Sequence, residues 1–96
     1  MIQEIVIKSN APISLKPLVE SAIRGKLKLL ELGIKRTQEQ LAVFEQAHGM
    51  STSEFERRFN DQDLQESLEF LDWWMEAQAL HELEQEYRAL KEAQLD

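Results

Sequence analysis

Apolar residues recur through the middle of the chain at a helical spacing that is held for more than three repeats. Ile23, Leu27, Leu30, Ile34, Thr37, Leu41, Phe44 and His48 follow one another at alternating intervals of four and three, the heptad seam that lines one face of a long helix. Ser14 stands where an N-cap belongs, and Pro17 falls in the first turn, where a missing amide hydrogen is tolerated. The pattern therefore predicts a helix over residues 14–48. At ~1.5 Å per residue such a helix is roughly 50 Å long, more than a compact domain of this size measures across, so the molecule is expected to be elongated. Gly25 and Gly33 lie inside the pattern and read as close-approach or bend points, because the seam runs through both.

The seam ends at a junction rich in termination and start signals. Gly49 follows the last seam position and suits a left-handed C′ residue, Ser51-Thr52-Ser53-Glu54 is a capping box, and Met50 with Phe55 forms a hydrophobic staple. A short helix is predicted over residues 51–59, with Phe55 and Phe59 one turn apart and Arg57 and Arg58 facing away. Asn60-Asp61-Gln62-Asp63 breaks it, and Asp63 with Glu66 three residues on is the simplest cap for a last helix over residues 63–94. That helix carries two apolar stripes. One is Leu64, Leu68, Leu71 and Met75; the other is Phe70, Trp73, Ala77 and Leu80, continued after a phase shift by Leu83, Tyr87 and Leu90. Two stripes are more than one helical neighbour needs, and surplus apolar surface marks an interface.

Residues 2–7, Ile-Gln-Glu-Ile-Val-Ile, break the helical pattern. Ile5 and Ile7 fall on one face of an extended chain and Ile2 and Val6 on the other, which predicts a short β-strand or an extended arm over residues 1–13. No second strand is present to pair with it, so a ladder requires another molecule or a symmetry copy.

Composition narrows the function classes. The chain has 96 residues and no cysteine; one small domain encloses a deep catalytic pocket with difficulty, and a thiolate metal site or disulfide framework is excluded. No catalytic constellation accompanies Ser14, Ser51 or Ser53, and His81-Glu82-Leu83-Glu84-Gln85 lacks the second histidine of a zinc-protease helix. His81 reads as a surface helix residue and His48 as a partner of the helix C-terminal carbonyls. Neither an enzyme nor a cofactor or metal is expected. With no apolar run near ~18 residues and no basic-then-apolar N-terminus, a cytoplasmic protein without a membrane span is expected. The net charge of −7 is unevenly divided: residues 1–36 hold seven basic and three acidic residues, and residues 37–96 hold four basic and fifteen acidic ones. Either the two arms lie antiparallel and neutralise each other, within the chain or across a dimer, or one arm meets an oppositely charged partner.

The run Phe44-Glu45-Gln46-Ala47-His48-Gly49-Met50-Ser51-Thr52-Ser53-Glu54-Phe55-Glu56-Arg57-Arg58-Phe59, with Phe70-Leu71-Asp72-Trp73-Trp74 after an acidic segment, resembles a group of small prokaryotic helical proteins, the TumA-type antitoxins of toxin–antitoxin pairs. The resemblance spans roughly residues 20–92. Where that family has a glycine-rich linker this chain has Asn60-Asp61-Gln62-Asp63, and the arm of residues 2–8 lies outside the shared pattern. The resemblance implies a dimerising antitoxin that neutralises a small toxin, regarded as a ribonuclease, by binding it directly.

The expected fold is thus all-α: a single domain forming an elongated antiparallel helical hairpin with a short connecting helix and an N-terminal strand or arm, completed by dimerisation. Ile5, Ile7, Ile23, Leu27, Leu30, Ile34, Leu41 and Phe44 are the expected dimer seam. Phe70, Trp73, Trp74 and Leu80 with the acidic Glu66, Glu69, Asp72 and Glu76 are the expected toxin-binding surface, covering a basic active site. Two other readings use different features. A nucleic-acid-binding regulator would rely on Arg24, Lys26, Lys28, Lys35 and Arg36, against a pI near 4.8; a coiled-coil scaffold or chaperone subunit would have no inhibitory role.

Overall fold

The computed structural model describes residues 1–93 and contains three helices, α1 (Leu15–His48), α2 (Thr52–Asn60) and α3 (Leu68–Lys91). α1 and α3 lie antiparallel, as their pairings show: His48 meets Glu69, Phe44 meets Trp73, Gly33 meets Leu83 and Glu31 meets Tyr87. The molecule measures 60 × 26 × 19 Å with a radius of gyration of 18.7 Å, against about 12.5 Å for a compact domain of this length. Elongation and the three-helix order follow the sequence expectation.

The heptad seam is filled from within the chain. Ile23, Leu27, Ile34, Phe44 and His48 are half-buried and Leu30, Thr37 and Leu41 fully buried, all on the side of α1 that packs on α3. The expected dimer seam is therefore corrected: one helix face takes one partner along its length, and here that partner is the chain's own third helix. Ile5 and Ile7, the other two members of that set, are exposed on an N-terminal arm with no regular structure through residue 11. The arm, and not the strand, is what a single chain contains, since a lone strand has no ladder to join.

Local chemistry sets each helix end. Ser14 occupies the N-cap of α1 with extended backbone, but its hydroxyl accepts no capping bond. At the far end Gly49 takes the left-handed conformation (φ 62°) and its N–H donates to the Glu45 carbonyl at 2.8 Å. Ser51 Oγ accepts from the Glu54 N–H at 3.2 Å, the first half of the capping box. The second half is absent, because the Glu54 carboxylate is engaged by Arg57 and Arg58 at 2.7 and 2.9 Å. Glu45 supplies a further cap from outside the helix, accepting the Thr52 N–H at 2.7 Å.

The start of α3 differs from the sequence expectation. α2 closes in a Schellman motif: the Asp63 N–H donates to the Arg58 carbonyl, the Gln62 N–H to the Phe59 carbonyl, and Gln62 takes the left-handed C′ position at φ 57°. Residues 63–67 then run without helix, and Ser67 Oγ, not Asp63, caps α3 by accepting the Phe70 N–H at 3.0 Å. Leu64 explains the delay. It packs on the core while Leu68 stays 81% exposed, whereas a helix through both would put them on one face. The expected end at residue 94 lies outside the described residues, where α3 is traced to Lys91.

Two measurements check these ends. Gln62→Gly removes the strain of a side chain in the left-handed region and is expected to raise stability by about 1 kcal/mol, while Gly49→Ala lowers it by a similar amount; urea unfolding reads both. The Glu54 carboxyl, held by hydrogen bonds from Arg57 and then Arg58, falls from its usual 4.5 to about 2. A folded value below the unfolded one gives stabilisation that is complete above about pH 4.5 and lost as pH falls toward 2. The effect is expected to be small and salt-sensitive at this exposed site, and to vanish from the pH profile of the urea midpoint in Glu54→Gln.

Candidate interaction surface

The core sits at the turn end of the hairpin and is mostly aromatic. Leu41, Phe55, Trp73 and Ala77 are buried, with Phe44, Met50, Phe59, Leu64, Phe70, Trp74 and Leu80 packed around them. The Trp73 ring lies 3.9 Å from Phe55 at an interplanar angle of 3°, and stacks on Phe44 and His48 at 5.6 and 5.5 Å. Its indole N–H donates to Thr52 Oγ1 at 3.1 Å. An indole enclosed this way, 0% exposed, holds the three helices together.

The expected toxin-binding set therefore separates into parts. Trp73 is interior, and Phe70 and Leu80 are half-buried in the same core; these three are corrected from surface anchors to structural residues, because their stripe is the one that faces α1. Trp74 is half-buried and stacks on Phe59 at 5.7 Å, its indole nitrogen covered and without a hydrogen-bond partner among the described residues. Glu69 is tied to His48 at 2.9 Å, which joins α3 to the end of α1. Glu66 and Asp72 are exposed, and Glu76 is half-buried.

The exposed apolar residues of α3 are those of its other stripe. Leu68, Leu71 and Met75 are 81%, 45% and 57% exposed, and a groove of about 420 Å³ runs between Phe59, Glu66, Ser67, Leu68 and Leu71. Helical spacing sets Asp72 and Glu76 along one edge of this stripe, and Glu66, in the segment before α3, lines the groove at its head. The surface thus pairs an apolar strip with a carboxylate border. Length distinguishes the stripes in the sequence: the inner one continues through Leu83, Tyr87 and Leu90 to match the α1 seam, whereas the outer one ends at Met75.

The two charged halves lie side by side in the antiparallel hairpin, but among the described residues no close ion pair joins them. Among the described residues the ion pairs within 4.0 Å are Arg57 with Glu54 and Asp61, Arg58 with Glu54, His48 with Glu69, and His81 with Glu56. None uses a lysine or arginine of residues 1–36. The polar link in that region is the Tyr87 hydroxyl, which donates to Glu31 at 3.0 Å and is thereby pushed above its ordinary pKa. His81 is exposed as expected and joins α3 to α2 through Glu56. No helix is long and apolar enough to cross a membrane among the described residues.

Substitutions on the two stripes of α3 are expected to separate sharply. Trp73→Ala empties the centre of a small core and costs about 3–5 kcal/mol, enough to abolish a cooperative thermal transition; Leu68→Ser leaves the transition within about 0.5 kcal/mol of the parent. Circular dichroism melts of both variants make the comparison. Comparison of the chain with protein-family models, curated proteins and solved structures finds no match.

Proposed function

We propose that the chain is an interaction protein that neutralises a partner by covering its basic surface, in the manner of an antitoxin acting on a small ribonuclease-type toxin. The observation that carries this reading is the exposed strip Leu68, Leu71 and Met75 with its border of Glu66, Asp72 and Glu76. Apolar side chains in a groove give the contact its affinity, and carboxylates around them select and steer a cationic partner. An RNA-cleaving enzyme presents such a surface where it binds phosphates. The acidic excess of residues 37–96 adds to the same attraction. The resemblance of residues 44–74 to TumA-type antitoxins supports the partner class, and inhibition is steric. In this reading the protein works in the cytoplasm as a homodimer.

Co-expression with the product of the adjacent gene tests the proposal. A complex is expected to co-elute, to weaken as NaCl rises, and to be lost in Leu68→Asp/Leu71→Asp while the thermal melt stays unchanged. Absence of a complex with the parent chain, or binding that survives the double substitution, refutes it.

A further inference from the structure

The large apolar residues left exposed fall into two groups. Leu68, Leu71 and Met75 belong to the strip on α3; Met1, Ile2, Ile5, Val6, Ile7, Ile13, Leu18, Leu29, Leu32 and Val43 all lie on the arm or on α1. On α1 they have an order of their own. Leu18, Ala22, Gly25, Leu29 and Leu32, all exposed, follow one another at intervals of four, three, four and three. This is a second heptad seam, set roughly 150° around the helix from the one that packs on α3.

Gly25 stands at its centre and has no explanation inside the chain. A glycine in a helix interior costs about 1 kcal/mol relative to alanine; Gly33 at least faces α3, where an added Cβ would lie in van der Waals contact with Leu83 at 3.4 Å. A Cβ at Gly25 would meet nothing within 4 Å. Its backbone is ordinary helix, so neither conformation nor internal space demands glycine. A glycine in such a position leaves room for another backbone to approach closely.

We infer that the outer seam of α1 docks on the same seam of a second copy, antiparallel, about a two-fold axis at Gly25. The spacing is self-complementary: Leu18 and Leu32 are equidistant from Gly25 along the helix, so Leu18 of one copy falls opposite Leu32 of the other at both ends, with the two glycines in contact at the centre. The same register carries each arm, leaving at Ser14, past Arg36 of the other copy toward Val43, which is 63% exposed on the same side of α1. One two-fold thereby covers both the helix stripe and the arm isoleucines. The outer stripe of α3 is a poorer match for this seam, because beyond Met75 its successive positions are Gln78, Glu82 and Gln85.

The available area is sufficient. The chain exposes 8010 Å², against about 5,700 Å² for a compact monomer of this mass, an excess of roughly 2,300 Å² where a standard interface takes about 800 Å² per partner. Lys26, Lys28 and Lys35 flank the seam and Arg36 occupies its next position beyond Leu32, so the two-fold brings like charge together. Added salt screens that repulsion and tightens the dimer, opposite to its effect on a basic-to-acidic contact.

Sedimentation equilibrium of the full chain should give twice its 11.2 kDa mass at micromolar concentration, with association strengthened by NaCl. Leu29→Lys should weaken it by roughly a hundredfold or more, by adding like charge to a seam already bordered by lysines, with unchanged circular dichroism. The chain has no cysteine, so introduced thiols report register. Leu18→Cys/Leu32→Cys should give a disulfide-linked dimer on mild oxidation. Leu18→Cys alone should not, its two copies lying about 20 Å apart along the axis, far beyond the ~7 Å Cα limit of a disulfide. A monomer at all concentrations, as expected if the chain's own arm folds over the seam, overturns the inference. So does a dimer that persists in Leu29→Lys, that dissociates in salt, or that crosslinks through Leu18→Cys alone.

Discussion

The stack of Trp73 on Phe55, 3.9 Å apart and nearly parallel, is the contact on which the remainder of the molecule depends. Phe44 and His48 approach it from α1, Phe55 from α2, and Phe70 and Trp73 from α3. Aromatic rings bury large areas with few rotatable bonds, which allows five buried apolar side chains to organise a chain of this length. The hydrogen bond from Trp73 to Thr52 fixes the indole in its plane and also fixes where α2 begins. Away from this end the hairpin narrows to a single seam, with Leu30 as its one buried apolar residue.

Holding the stack in place is largely the work of the two turns. Gly49 ends α1 so that Glu45 can reach the first amide of α2, and Gln62 ends α2 so that Leu64 can turn inward before Ser67 starts α3. The side-chain hydrogen bonds across helices, His48 to Glu69 and His81 to Glu56, lie in the same turn-end half of the molecule. Tertiary structure is thus concentrated at one end. The opposite end is a pair of helices and an exposed arm, with basic groups and leucines facing outward.

That distribution separates two surfaces. An acidic border and an apolar groove adjoin the rigid end, where a binding face gains from preorganisation. A stripe of leucines bordered by basic residues, with a glycine at its centre, runs along α1, and among the described residues no further helix lies against it. The two differ in charge and in position along the hairpin, so occupation of one leaves the other accessible.

Sequence alone determined the helical class, the length and seam of α1, the turn at Gly49 and the short α2, because each rests on local spacing and capping chemistry that act within a few residues. It misplaced the start of α3: Asp63 and Ser67 are both competent caps, and the choice depends on Leu64 being drawn into a core formed by distant residues. It also assigned the seam to a dimer and Trp73 to a surface. A heptad pattern records that a helix face is covered without recording by what, and two stripes on α3 are equally apolar until one is laid against α1. Only the tertiary structure decided those points, since they depend on pairing residues such as Phe44 and Trp73 that are far apart in the chain and near in space.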